Sequence, residues 1–363
     1  MIRLSPPDLA PDSVENLEKA ISENWISASG PYVERVERQL AAKAARKYCV
    51  ATVTGSAALE LALKVVGVGK NSLVAVPDFT FSASINAILN VGAQPLICDV
   101  ENDYMTLDAQ KLGRCVGDFE VDAIVAVDVL GYGCDYPKLN TCLPKKVPII
   151  ADASGSLGSD YYGQPAGKYG DVAVFSFNGN KVITCGQGGC LLTDNEELYI
   201  KAKLFANQGR LTSEYISNSI GHNYRMSSIN AALLEAQLSC LDTFIAKRLT
   251  VKNFYDENIH RMEKIHTAAH SSERSSNGWL YSVRCADREA AADLVEHLKS
   301  DGVESKQFWA VLSEQPAFKN VITMPLQNSK KFSQSLVSLP SSSRLTIDEL
   351  SQVVNSIKKW TQK

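Results

Sequence analysis

Apolar residues along this chain fall into short runs separated by turn residues and by stretches of helical periodicity. Tyr48 to Thr52, SLVAVP, PLICDV, AIVAVDVLG, VPIIAD, DVAVFSF and GCLLTD are such runs. They are rich in β-branched residues and bounded by Gly, Pro, Asn or Asp, which predicts strands buried on both faces. AALELALKVVG and SASINAILNVG, lying between them, repeat apolar positions at helical spacing. Strands alternating with helices predict an α/β fold with a mostly parallel central sheet. Upstream, residues 14–24 read as a helix, and ISASGPYVERVERQLAAKAA as a Gly-Pro turn leading into a second one. Downstream, one long helix from Ser228 to Ile259 is predicted to connect a large domain, residues 1–240, to a smaller α+β domain, residues 241–363. Within the latter, SSERSSNG reads as a polar loop. REAAADLVEHLKSDG reads as an amphipathic helix ending in Gly, and Thr346 with Glu349 as a capping box opening the last helix.

Chemistry enters at strand ends. DVAVFSF stops at the turn Asn178-Gly179-Asn180, and Lys181 follows at once. A lysine just past a buried strand sits over the sheet rim, where α/β proteins bind ligands. Burial there lowers an ammonium pKa from about 10.4 toward neutrality and leaves an amine nucleophile. The alternative is a solvated surface lysine, the usual place for this residue. VPIIAD ends in Asp152, which the same topology brings to the same rim. A buried aspartate needs a cationic partner to stay ionised. A protonated pyridine nitrogen is one, and lysine plus aspartate in this arrangement is how pyridoxal phosphate is held. Thr54-Gly55-Ser56-Ala57 follows the first strand and opens a helix. It reads either as an anion site made of backbone N–H groups and a hydroxyl or as a plain hydroxyl cap.

Composition narrows the class. The chain has 363 residues, 45% hydrophobic and 21% charged, with net charge −3. That size suits about two domains, and the charge leaves no footprint for nucleic acid. Nine cysteines without C-x-x-C spacing or clustered histidines predict reduced thiols, neither a disulfide framework nor a metal site. The polar, proline-containing N-terminus lacks a signal-peptide core, and no run approaches a membrane span. A cytoplasmic protein is expected.

Three segments carry a family resemblance: ADASGSLGSDYYGQPAGKYGDVAVFSFNGNKVITCGQGGCLLTD, ATVTGSAALELAL and IGHNYRMSSINAAL. They resemble the sugar-nucleotide aminotransferases of the DegT/DnrJ/EryC1/StrS group, with likeness running from about Trp25 to Pro340. The resemblance implies the aspartate aminotransferase (type I) fold and pyridoxal 5'-phosphate as cofactor. It implies that Lys181 carries the cofactor as a Schiff base and moves the substrate proton, and that Asp152 keeps the ring nitrogen protonated. Gly55, Ser56 and Ala57 at the helix start, with Ser176, are implied to hold the phosphate. Asn223 of Asn223-Tyr224-Arg225-Met226 would reach it from a neighbouring subunit, which requires a homodimer with shared active sites. Phe81, in Phe79-Thr80-Phe81, would lie over the cofactor, or else is a core aromatic. Trp25-Ile26-Ser27 and Gly30-Pro31-Tyr32-Val33 would border the site.

The implied reaction moves an amino group from L-glutamate to a nucleotide-linked keto sugar in surface-polysaccharide or lipopolysaccharide synthesis. Asn178-Gly179-Asn180 resembles members acting at C4 of UDP- or GDP-linked 4-keto-6-deoxy sugars. Departures from the family pattern are Gly155 for Gln, His or Glu; Asp128 for His; Lys306 for Arg; and Ala310 and Ser313 for Lys and His. These put the acceptor sugar in doubt, not the cofactor chemistry. Rival readings are a dehydratase, which typically has His in place of Lys181, a 3-keto-sugar aminotransferase, and a non-catalytic regulator, which needs neither Lys181 nor Asp152.

Overall fold

The alternating apolar runs build one eight-stranded sheet. A computed structural model describes residues 1–363 apart from 117–118, 144–145, 212–214, 261, 268–272 and 363. The first half contains β1 (Tyr48–Thr52), β2 (Leu73–Pro77), β3 (Gln94–Cys98), β4 (Ala123–Val127) and β5 (Ile149–Asp152). After the short β6 (Asp160–Tyr161) and β7 (Gln164–Pro165) come β8 (Val172–Ser176) and β9 (Gly189–Thr193). The C-terminal part adds β10 (Ile265–Thr267), β11 (Arg274–Ser275), β12 (Tyr281–Cys285), β13 (Lys306–Gln307), β14 (Ile322–Thr323) and β15 (Leu336–Leu339).

Strand order in the main sheet is β1-β9-β8-β5-β4-β2-β3-β14. All pairings are parallel except those of β9, which runs against both β1 and β8. Every residue of β4 is buried, as its AIVAV sequence demands of a central strand. Helices α1 (Ser13–Ser22), α2 (Pro31–Lys43), α3 (Gly55–Val65) and α4 (Ala83–Asn90) follow the predicted pattern. Also present are α5 (Ala109–Cys115), α6 (Tyr136–Cys142) and α7 (Glu196–Ala206), which the periodicity did not announce. Two of these are only two turns long, and α6 carries a proline in its first turn.

The long connector is not one helix. It divides at Cys240 into α8 (Ser228–Ser239) and α9 (Leu241–Ile259). The physical reason is a change of partner: α8 packs on α1 and α2, while Val251, Tyr255 and Ile259 of α9 enter a second, smaller core. That core is closed by α10 (Arg288–Ser300), α12 (Ile347–Thr361) and the sheet β10-β12-β15-β13, with α11 (Asn328–Ser335) alongside. The chain crosses between cores more than once, since Ile2 lies in the smaller core and β14 joins the main sheet. The Thr346 and Glu349 capping box is formed as expected.

The stretch SSERSSNG is not a solvated loop over its described part. Arg274, Ser276 and Asn277 are buried, and β11 pairs with β6. Arg274 donates to Glu101 Oε1 at 2.6 Å and to the Gly133 carbonyl, so its charge is compensated inside the protein. No helix among the described residues is long and apolar enough to cross a membrane, and all nine cysteines are free thiols.

Candidate active site

Parallel strands deliver their C-terminal ends to one rim: β1 at Thr52, β2 at Pro77, β5 at Asp152 and β8 at Ser176. Thr52, Gly189 and Ser176 lie side by side in register. A Cβ on Gly189 would meet the Gly55 nitrogen and the Thr54 carbonyl at 2.6 Å, so glycine is what lets the β1–α3 turn fold over β9. A Cβ on Gly55 would fall 2.8 Å from Ser176 Cβ and 2.9 Å from its Oγ, which brings that hydroxyl to the start of α3.

Thr54 caps the helix, accepting from the Ala57 N–H at 3.0 Å. The capping alternative is therefore real, and it takes the Ala57 amide out of any anion site. Gly55 and Ser56 N–H groups have no protein acceptor among the described residues. Two open amides at a positive helix end, beside the Ser56 and Ser176 hydroxyls, suit an oxyanion. Gly55→Ala is expected to weaken cofactor retention about tenfold, the worth of roughly one hydrogen bond to a charged group. Fluorescence titration of the cofactor-free protein checks this, and an unchanged Kd would remove Gly55 from the site.

Asp152 is buried at 4% exposure. Its carboxylate accepts from Ser84 Oγ at 2.7 Å, Ser154 Oγ at 2.6 Å and Ser154 N at 3.3 Å. Neither serine was singled out from sequence, because a hydroxyl's partner depends on how α4 docks beside β5. No cationic side chain contacts Asp152 among the described residues. Behind it sits Asp128, whose N–H donates to the Asp152 carbonyl at 3.0 Å. The Asp128 carboxylate is used internally, taking Tyr136 OH at 2.7 Å, Ser156 Oγ at 2.7 Å and Cys134 N at 3.0 Å. Burial pushes its pKa up to about 6 against these donors, and Asp152 adds to the rise.

Lys181 stands in a compact loop between β8 and β9. The loop is pinned by the Lys181 N–H to the Asn178 carbonyl at 3.0 Å and by the Thr184 hydroxyl to the Phe177 carbonyl at 3.0 Å. Val182 and Ile183 are buried immediately after it. The residue as a whole is half-buried, and its amine is set deep enough to feel strong desolvation. Burial lowers its pKa from an ordinary 10.5 to about 8, with Asp152 acting in the opposite direction. The two groups make no direct ion pair. The amine lies instead over the Trp279 ring, 3.7 Å from its centroid, a neighbour that no sequence signal pointed to.

The remaining expected residues are scattered around this rim. Of the two phenylalanines after β2, Phe79 is the core residue, packed on Trp309 and Phe332, and Phe81 is 59% exposed. Phe81 is therefore not part of this chain's own core. Asn223 is exposed and makes no side-chain hydrogen bond among the described residues, while the adjacent Tyr224 carbonyl accepts from Val53 N at 2.8 Å. Ser313 is used inside the protein. Its N–H and hydroxyl hold the buried Asp78 carboxylate at 2.8 and 3.0 Å. Lys306 is exposed beside Phe308. A separate cleft of about 300 Å³, lined by Tyr132, Tyr281, Arg284 and Phe332 among others, contains none of the rim residues.

The donor set fits pyridoxal phosphate: open amides and hydroxyls for a dianion, a buried carboxylate with no cation in contact, and an enclosed amine. A family model described as the DegT/DnrJ/EryC1/StrS aminotransferase family matches residues 7–358. EpsN of Bacillus subtilis (strain 168), assigned as a pyridoxal phosphate-dependent aminotransferase, is 32% identical, covering 99% of this chain and 98% of its own. The GDP-perosamine synthase of Escherichia coli O157:H7 is 29% identical over 98% and 97% of the two chains. Among solved structures, Spr1654 of Streptococcus pneumoniae in its PLP-form, assigned as a sugar aminotransferase, superposes with a TM-score of 0.92. It has 26% identity, covering 99% of this chain and 98% of that one. Matched over nearly its whole length in sequence and in fold, the chain belongs to the DegT/DnrJ/EryC1/StrS aminotransferase family and is a pyridoxal phosphate-dependent sugar aminotransferase.

Proposed function

We propose that this protein transfers the amino group of L-glutamate to a nucleotide-linked keto sugar, a UDP- or GDP-linked 4-keto-6-deoxyhexose, for a surface polysaccharide such as lipopolysaccharide. The observation that carries the reading is the enclosed Lys181 amine on the same rim as the buried Asp152 and the open amides of α3. A relative named GDP-perosamine synthase supports a nucleotide-linked sugar, and the Asn178-Gly179-Asn180 triplet favours position 4. Pyridoxal phosphate, when bound, supplies the electron sink and carries the amino group between donor and acceptor. The protein's own residues do the rest. Lys181 holds the cofactor and moves a proton, and Asp152, oriented by Ser84 and Ser154, keeps the ring nitrogen charged. Gly55, Ser56 and Ser176 bind the phosphate, with Ala57 setting the helix start, and Phe81 covers the cofactor. In this reading residues 1–240 form the cofactor-binding domain, residues 241–363 the smaller one, and the enzyme works in the cytoplasm. The test is product analysis with a panel of nucleotide-linked 3-keto and 4-keto sugars and glutamate. Amination of a 3-keto sugar alone, or of none, would refute the proposed acceptor.

The enzyme is further proposed to be a homodimer in which Asn223 serves the partner's phosphate site, since a dianion needs more donors than two amides and two hydroxyls. Mixing Lys181→Ala with Asn223→Ala protomers under exchange conditions tests this. Shared sites yield hybrids with one intact site of two, and random pairing of equal amounts makes about half of the dimers hybrid, so activity rises to about a quarter of the wild-type value. Were Asn223 to act within its own chain, every hybrid site would carry a lesion and activity would stay at the parents' level.

A further inference from the structure

Trp279 and Gly155 form a matched pair. Trp279 lies between β11 and β12 and is buried at 4% exposure. A Cβ on Gly155 would fall 2.3 Å from both Cε3 and Cζ3 of the indole. Any side chain at position 155 and the indole in its present place therefore exclude one another. Asn277 ties the two together: its Nδ2 donates to the Gly155 carbonyl at 3.0 Å, and its Oδ1 accepts from the Trp279 N–H at 2.9 Å. The Trp279 carbonyl accepts from buried Arg248 Nη1 at 2.9 Å. The indole Nε1 donates to the Asn180 carbonyl at 2.7 Å, on the residue just before Lys181. Two polar anchors thus hold the Trp279 backbone and one the ring, whose face is turned to the Lys181 amine, 3.7 Å away.

An ammonium over an indole face is attracted to it, most strongly where water is excluded. The same ring also excludes the water. Attraction favours the charged amine and dehydration the neutral one, while Asp152, the charged group acting on Lys181, favours the charged form. We propose that Trp279 is the positioning residue of Lys181: admitted by Gly155, its aromatic face holds the amine in one place at the rim whenever the amine is free. The inference rests on Lys181 being the cofactor-bearing amine, yet its test needs no turnover.

In the cofactor-free full-length protein, brief acetic anhydride pulses across pH 6 to 11, read by peptide mass spectrometry, give the titration midpoint of Lys181. Trp279→Phe keeps an aromatic face without the N–H, and Trp279→Leu keeps apolar cover without the face. Gly155→Ala pushes the indole aside. The midpoint is expected near 8 in the wild type. It should stay within about 0.3 units in Trp279→Phe and fall by about one unit in Trp279→Leu, the loss of one dehydrated cation–π contact. Gly155→Ala should raise it toward the ordinary lysine value by admitting water. A native-like Trp279→Leu protein whose midpoint is unchanged or higher overturns the proposal, as does Trp279→Phe shifting as far as Trp279→Leu. Trp279→Met, equally without a π face, takes the place of the leucine variant if that one fails to fold. Failure of Lys181 to carry the cofactor is seen separately, by borohydride mapping, so the two ideas fall independently.

Discussion

Lys181→Ala is expected to abolish transamination, by about 10³-fold or more, while leaving the protein folded. The loss follows from removing both the amine that holds the cofactor and the group that moves the proton, each a contribution of several orders of magnitude. The fold should survive because Val182 and Ile183 keep the loop anchored and the backbone bonds around Phe177 do not involve the lysine side chain. Stability should even rise at neutral pH. A folded pKa near 8 against 10.5 unfolded means that burying the ammonium costs up to about 3 kcal/mol below pH 8. Between pH 8 and 10.5 the unfolded chain binds more protons, so wild-type stability climbs with pH and the variant's advantage shrinks across that window. Urea midpoints at pH 7 and pH 10.5 measure the difference, and one that does not change with pH would mean the amine is not buried in solution. Borohydride treatment of the loaded wild type should place the reduced cofactor on the Lys181 peptide, and its appearance on another lysine would sink the assignment.

Asp152→Asn is expected to retain cofactor but lose turnover by about 10²-fold or more. An amide can accept the Ser154 bonds on its oxygen and donate from its nitrogen to the Ser84 hydroxyl, which turns to accept, with little change in volume, so the site should stay formed. What it cannot do is hold a positive charge on a ring nitrogen. Breaking a buried, hydrogen-bonded charge pair costs about 2–5 kcal/mol, and each 1.4 kcal/mol is tenfold in rate. The aspartate matters most when electron density reaches the ring, so the loss should fall on kcat and leave KM nearly unchanged. Near-normal kcat would give Asp152 some other task. A loss confined to KM would point to a binding role. Ser84→Ala and Ser154→Ala should each show a smaller version of the same kcat effect, about tenfold, because each removes one donor that orients the carboxylate.

The local pattern of apolar and polar residues was enough to place the main-sheet strands other than β14, the helices α3 and α4, and Lys181 and Asp152 at strand ends. That information is carried by neighbours in the chain: period, β-branching and the turn residues that stop each run. Thr346 with Glu349, Thr54 with Ala57, and the rim position of Gly55 were legible for the same reason. Tertiary structure alone decided the rest. That β9 runs antiparallel depends on a helix-free loop that returns the chain beside β8, and the division of the connector at Cys240 depends on its two halves packing on different cores. The burial of Arg274 and Asn277 depends on carbonyls and a carboxylate supplied by distant segments, which turn a polar stretch into an interior one. Ser84 meets Asp152 across 68 residues of sequence, and Trp279 meets Asn180 across 99. Contacts at such separations leave no periodic trace, because nothing near either residue in the chain has to change for the other to be there. Gly155 shows this most clearly: in sequence it is only a missing side chain, and in the fold it is the space that Trp279 fills.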